Sequence, residues 1–190
     1  MARTREEYIA EPLVDDNEGL KLFDITIMYR YEDGEIQEGL KLVKNLNKNL
    51  KIKTVLELGF GYGFTATLFQ EAWNPDKHVI IEAHPEIYQR ALEWKAQYPD
   101  KDITVINAFW QDVDFSNQQF DLVYDDTYEL IFNENDEIDF EHIDYKIWAN
   151  CYIDVTPEIQ ERLDNGSEMW MNGVFFEVNG KICFQPFRIK

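Results

Sequence analysis

The stretch Val55-Leu56-Glu57-Leu58-Gly59-Phe60-Gly61-Tyr62-Gly63-Phe64 constrains this chain more than any other. An apolar run that breaks into spaced glycines and resumes as Phe64-Thr65-Ala66-Thr67-Leu68-Phe69 predicts a strand, a tight turn and a helix. Glycine reaches positive φ and lets a ligand approach the backbone, and the first turn of a helix offers unpaired N–H groups. This is the pattern of a nucleotide-type pocket; a glycine turn that holds no ligand is the plainer alternative. The third glycine stands at 63 and position 64 is Phe, so the spacing is not G-x-G-x-x-G, which weighs against a nicotinamide-dependent oxidoreductase.

The remaining patterns build an α/β domain around that turn. Ile36, Leu40, Val43, Leu46 and Leu50 recur at helical steps before it, which marks an amphipathic helix. After it come apolar runs at His78–Glu82, Ile103–Ile106 and Phe120–Tyr124, with a helix expected from Pro85 carrying Ile87, Tyr88, Ala91 and Leu92 on one face. Short apolar runs alternating with helical patterns predict a mostly parallel, Rossmann-like sheet with crossover helices, which binds ligands beyond the carboxyl ends of its strands. Residues 1–24 read as an irregular arm or short helix, and Ile25–Tyr31 runs into the loop signal Glu32-Asp33-Gly34. Toward the end, 134–144 reads as an acidic loop or helix start, Tyr145–Ala149 and Pro157–Leu163 as helices, and 173–184 as an antiparallel hairpin turning at Asn179-Gly180. No linker composition divides the chain, so a single domain is expected: an arm or lid over 1–35, a cofactor-binding core over 36–130 and a carboxyl-terminal part over 131–190.

A formal net charge of −19 argues against a nucleic-acid backbone or an anionic membrane surface as partner; it suits a small cationic substrate, and equally a charge that serves only to keep the chain in solution. Two cysteines, Cys151 and Cys183, have no metal-like spacing, and no apolar run is long enough to cross a membrane. With no signal peptide at Met1–Ala10, a cytoplasmic location is expected.

Several polar residues fall where that sheet would bind a ligand. Glu82, followed by Ala83, ends the second run, where a carboxylate can accept both hydroxyls of a ribose. Trp110 and Gln111, past the third run, would lie beside an adenine, although core packing explains Trp110 equally well. The fourth run enters Asp125-Asp126-Thr127-Tyr128. Two adjacent carboxylates at a strand exit need donors, a cation or water, and alternation lets only one point into a cleft.

The glycine spacing with Glu57 at its head resembles the first motif of class I S-adenosylmethionine-dependent methyltransferases. Read together, Met28-Tyr29-Arg30-Tyr31-Glu32, the glycine stretch, Ile80-Ile81-Glu82, Tyr88-Gln89-Arg90, Trp110-Gln111-Asp112-Val113, Phe120-Asp121 and Tyr124–Tyr128 resemble guanidinoacetate N-methyltransferase over about residues 28–130. A related branch of that family acts on the δ-nitrogen of protein arginine. The resemblance implies S-adenosyl-L-methionine as cofactor, with Glu57, Gly59, Phe60, Gly61, Gly63, Glu82, Ala83, Trp110, Gln111 and Asp125 around it. It also implies Glu32 and Asp126 as catalytic carboxylates on a guanidino group, with Thr127 and Tyr128 lining the acceptor site and no metal. Tyr31 replaces a family Trp, Gln111 replaces a family acid, and Asp125 stands where the family has Tyr. The expected reaction is direct in-line methylation of a guanidino or amine compound; the alternatives are another methyl acceptor and a non-catalytic binding module on the same fold.

Overall fold

The computed structural model describes residues 4–46, 48–49, 51–127, 143–165 and 173–190. Helix α1 (Arg5–Ala10) opens on a capping box: the Thr4 hydroxyl accepts from the Glu7 N–H, and the Glu7 carboxylate accepts from the Thr4 N–H. Strands β1 (Val14–Asp15), β2 (Gly19–Leu22) and β3 (Ile25–Tyr29) then form an antiparallel sheet. The short helix matches the expectation for 1–24, but the small sheet departs from it. Its β2–β3 reversal is made by Phe23 and Asp24, both at positive φ, with no glycine or Asn-Gly to signal it.

Helix α2 (Asp33–Leu46) buries Ile36, Leu40 and Val43 on one stripe; Leu50 lies outside the described residues. Strand β4 (Thr54–Leu58) leads through the glycines into α3 (Phe64–Leu68), which widens into a π-helical turn at Phe69–Trp73. Then come β5 (Lys77–Glu82), α4 (Pro85–Lys95), β6 (Ile103–Asn107), a 3-10 turn at Trp110–Asp112 and β7 (Gln119–Asp125). The chain closes with β8 (Asp144–Asn150), β9 (Ile153–Asp154), α5 (Pro157–Asp164), β10 (Gly173–Val178) and β11 (Lys181–Ile189).

The main sheet has the order β10-β11-β8-β7-β4-β5-β6, with β9 beside β11. Strands β4 to β8 run parallel, and β11 is antiparallel to both β8 and β10. The hairpin turns on Asn179 (φ 53°) and Gly180 (φ 78°) as expected. Tyr145–Ala149 is a strand and not the expected helix. It is inserted between β7 and β11 and covered on both faces, so its apolar residues run without alternation, and a short run of that kind has no period to separate strand from helix. The 134–144 expectation falls mostly outside the described residues.

Both faces of the sheet carry core. Val55 packs with Ile36, Leu40, Phe69 and Leu122 on one side, while Leu56 and Leu58 pack with Trp110, Phe115, Val123 and Trp148 on the other. Burying one such aliphatic side chain stabilises the fold by about 1.5–3 kcal/mol. Because β4 has β5 on one side and β7 on the other, the crossover direction reverses there and a cleft opens above its carboxyl end.

Candidate active site

The glycine turn takes a shape that only glycine adopts without strain: φ is +85° at Gly59, +54° at Gly61 and +75° at Gly63. Close approach adds a second constraint. A Cβ on Gly59 would lie 2.8 Å from the Asp126 carbonyl oxygen, and one on Gly61 would lie 2.4 Å from Met28 Sδ. The Met28 sulfur also accepts the Tyr62 N–H at 3.1 Å, which seats the small sheet on the turn. Asp15 fastens that contact: its carboxylate accepts from the Tyr62 hydroxyl (2.8 Å), from Arg90 on α4 (2.7 Å) and from Arg30. Burial pulls the other way, but these hydrogen bonds and the two guanidinium charges hold Asp15 below the ordinary carboxylate range.

Glu82 closes the turn from the β5 side. One carboxylate oxygen accepts the Phe60 N–H (3.0 Å) and the other the His84 N–H (2.7 Å), which leaves lone pairs for a ligand hydroxyl. Burial pushes its carboxyl up to about 7 against those two amides and that of Ala83. Asn107 fixes the carbonyls of Glu82 and Ala83 with its side-chain amide, at 2.8 and 3.0 Å.

Glu57 heads the turn from the inside. It is 1 % exposed and lies behind the turn, with Oε2 2.9 Å from His78 Nε2 and the Ala66 N–H donating to its carboxyl. His78 Nδ1 in turn meets Gln70 Nε2 at 3.1 Å. Burial raises Glu57 well above its usual range and drives His78 down to about 3, so the imidazole is neutral at about pH 7. Glu57 therefore braces the turn and caps α3 from inside the protein. Trp110 is likewise buried, edge-on to Trp148 at 6.1 Å, so core packing describes its side chain. Gln111 beside it is exposed. The following Asp112 receives both bonds of Arg5, each 2.9 Å, which docks α1 on this turn.

The paired acids after β7 divide as alternation requires. Asp125 turns inward and receives the Thr127 N–H (3.1 Å) and hydroxyl (2.6 Å). Asp126 donates its N–H to the Leu58 carbonyl at 3.0 Å and so sits beside Gly59, half-buried. Its carboxyl is raised to about 8, first by burial and then by the charges of Glu32, Glu57 and Asp125, while a hydrogen bond from Cys151 opposes the shift. Glu32, just before α2, is half-buried as well, and burial with repulsion from Glu35 and Asp154 raises it to about 7. The chain thus brings Glu32 and Asp126 within electrostatic reach of each other. Thr127 is exposed, and Tyr128 lies outside the described residues.

Three neighbours went unrecognised in the sequence. Cys151 and Tyr152 follow β8; Cys151 donates its N–H to the Asp125 carbonyl at 2.8 Å, and Tyr152 is raised by burial and by Glu32, Cys151, Glu35 and Asp154. With Tyr145–Ala149 read as a helix, nothing placed them beside Asp126. Glu35, in contrast, was readable, since it stands one helical turn from Glu32. Among the described residues no cluster fit for a metal occurs, and no helix is long and apolar enough to cross a membrane. A concavity lined by Lys44, Lys51, Ile52, Lys53, Trp73 and Asn74 lies toward the amino end of β4 and holds none of these groups.

This strand order, with a glycine turn after β4 and an acid ending β5, defines the class I S-adenosylmethionine-dependent methyltransferase fold. Solved structures agree. The methyltransferase domain of bacterial CtHen1 matches with a TM-score of 0.58 at 15 % identity, over 82 % of this chain and 99 % of that one. TYW2 of M. jannaschii in complex with AdoMet matches at 0.51 and 16 %, over 95 % and 87 %. The family model described as guanidinoacetate N-methyltransferase matches residues 13–152; the chain belongs to that family. The match extends past the motifs legible by eye at both ends, into β1 and through β8. Among curated relatives, a protein arginine N-methyltransferase 2 of Yarrowia lipolytica is 30 % identical over 146 residues, 74 % of this chain and 30 % of that protein. One of Gibberella zeae is 25 % identical over 194 residues, 97 % of this chain and 40 % of that protein. The chain therefore spans well under half the length of either relative. The family's cofactor is S-adenosyl-L-methionine, and the positive-φ glycines and the Glu82 carboxylate fit its methionine and ribose portions.

Proposed function

We propose that this chain methylates a guanidino nitrogen of a small cationic acceptor held between Glu32 and Asp126. The observation that carries the reading is the placement of half-buried Asp126 against Gly59 and within electrostatic reach of half-buried Glu32, an arrangement that a cation relieves. When bound, S-adenosyl-L-methionine supplies a methyl already activated by its sulfonium. The chain's own groups do the rest. Guanidinium is a planar fork of donors that carboxylates grip bidentately, and it keeps its proton in water. Glu32 orients the fork, and Asp126 accepts at its carboxylate the proton that the nitrogen loses as it gains the methyl. A carboxyl raised toward neutrality is suited to that exchange. Gly59, with the Asp126 backbone against it, sets the distance between acceptor and donor; positioning of this kind contributes about 7–11 kcal/mol. The relatives' naming as protein arginine N-methyltransferases supports a guanidino acceptor, and two free cysteines suit a reducing, cytoplasmic setting.

The test is formation of S-adenosylhomocysteine across a panel of guanidines and amines. Asp126→Asn and Glu32→Gln should each lower kcat/KM by about 100-fold or more while S-adenosylhomocysteine still binds. Failure of the wild-type chain to turn over any guanidine defeats the proposal.

A further inference from the structure

Methyl transfer leaves one buried acid without a task. Glu35 lies one turn along α2 from Glu32 and on the same face; it is 2 % exposed, and its Oε2 has no hydrogen-bond partner among the described residues. One turn further on the same stripe is Gly39, where a Cβ would fall 2.5 Å from Gln185 Oε1. The Gln185 amide is oriented by its Nε2, which donates to the carbonyls of Asn150 and of Pro186 (3.2 Å). Its Oε1 is therefore a second buried acceptor without a donor. Buried acceptors left unmatched cost about 1–3 kcal/mol apiece, more when charged, so two of them on one stripe call for a donor from outside the chain.

The surroundings say what that is. Glu35 acts on Glu32 and Tyr152 on one side and on Lys181 and Cys183 of β11 on the other. The row of acids thus continues from Asp126 past Glu32 and ends at Asp154. The cation at that end, Lys181, is 3.1 Å from Asp154 and 5.0 Å from the Tyr31 ring centre, and Glu35 has no ion pair with it among the described residues. We propose that the acceptor cleft has a second subsite at Glu35 and Gln185 that takes an ammonium or similar N–H-bearing cation, so that guanidines with a second positive centre are preferred over guanidino acids. Attachment points one helical turn apart are about 5–6 Å from each other, a span that a short methylene chain bridges. A carboxylate at the far end of the acceptor would meet Glu32, Glu35 and Asp154 instead. This inference rests on the guanidinium being seated between Glu32 and Asp126.

Calorimetric titration of the S-adenosylhomocysteine-loaded chain with guanidinobutylamine and with guanidinobutanoate tests it, using wild type and Glu35→Gln. The amine should bind at least about 10-fold more tightly than the acid to wild type, and in Glu35→Gln the preference should fall to about 3-fold or less. Equal affinities, a preference for the acid, binding of neither compound, or a preference that survives the substitution each overturn the subsite. If Glu35→Gln does not melt cooperatively, the two wild-type affinities decide alone. Turnover is scored separately: a retained preference in binding with no methylation of either compound counts against the proposed reaction and not against the subsite.

Discussion

Glu32, Glu82 and Asp126 are raised to about 7, about 7 and about 8, whereas an exposed carboxyl titrates near about 4. The folded chain therefore holds protons that the unfolded chain releases. Their contribution to stability is complete below about pH 4 and is lost as pH rises through 7 and 8. The melting temperature of the ligand-free protein should fall between about pH 5 and pH 8, and Asp126→Asn should flatten that fall. A guanidinium entering the cleft favours the ionised acids, so its binding near neutrality should release protons. Titrations in buffers of different ionisation heat would reveal this release, and its absence would mean that the cation does not reach these acids. At Glu57 the logic differs, because burial disfavours its ionised form and the His78 imidazole it meets is neutral. Glu57→Gln should cost less than about 1 kcal/mol, whereas Glu57→Ala, which strands His78 and the Ala66 N–H, should cost about 2–4 kcal/mol in urea unfolding. From sequence alone Glu57 belonged to the cofactor set. Its position in the motif was legible, but the His78 behind it, a strand away, was not.

Elements were legible where local chemistry and global role agreed. The glycine turn and the Asn179-Gly180 hairpin both carry residues that positive φ demands, and both stand where expected. The Phe23-Asp24 reversal and β8 were opaque for opposite reasons: the first uses residues that seldom adopt its conformation, and the second is apolar on both faces and so has no period. Gly61 and Gly180 permit a controlled comparison. Alanine at either position meets the left-handed penalty of about 1–2 kcal/mol. Only at Gly61 does a Cβ also strike a neighbour, Met28 Sδ, while at Gly180 nothing lies within 4 Å. Gly61→Ala should therefore lose more thermal stability than Gly180→Ala, and it alone should weaken S-adenosylhomocysteine binding, by about 10-fold or more if the small sheet is displaced. Equal binding by the two variants would show that the Met28 contact has no part in holding the turn.

For the molecule as a whole, −19 formal charges make self-repulsion a standing load. Added salt screens it, so the melting temperature should climb between about 0.05 and 0.5 M sodium chloride; a flat response would mean that the paired acids already offset the rest. Asp15 faces the opposite hazard. It is held ionised where β1, β3, the glycine turn and α4 meet, so what it contributes persists above about pH 4 and disappears as acid protonates it. Only acid well below about pH 4 would thus unfasten the small amino-terminal sheet from the rim of the turn, while the carboxyl cluster across the cleft is at its most comfortable. In alkali the strain passes to that cluster, and the small sheet stays fastened.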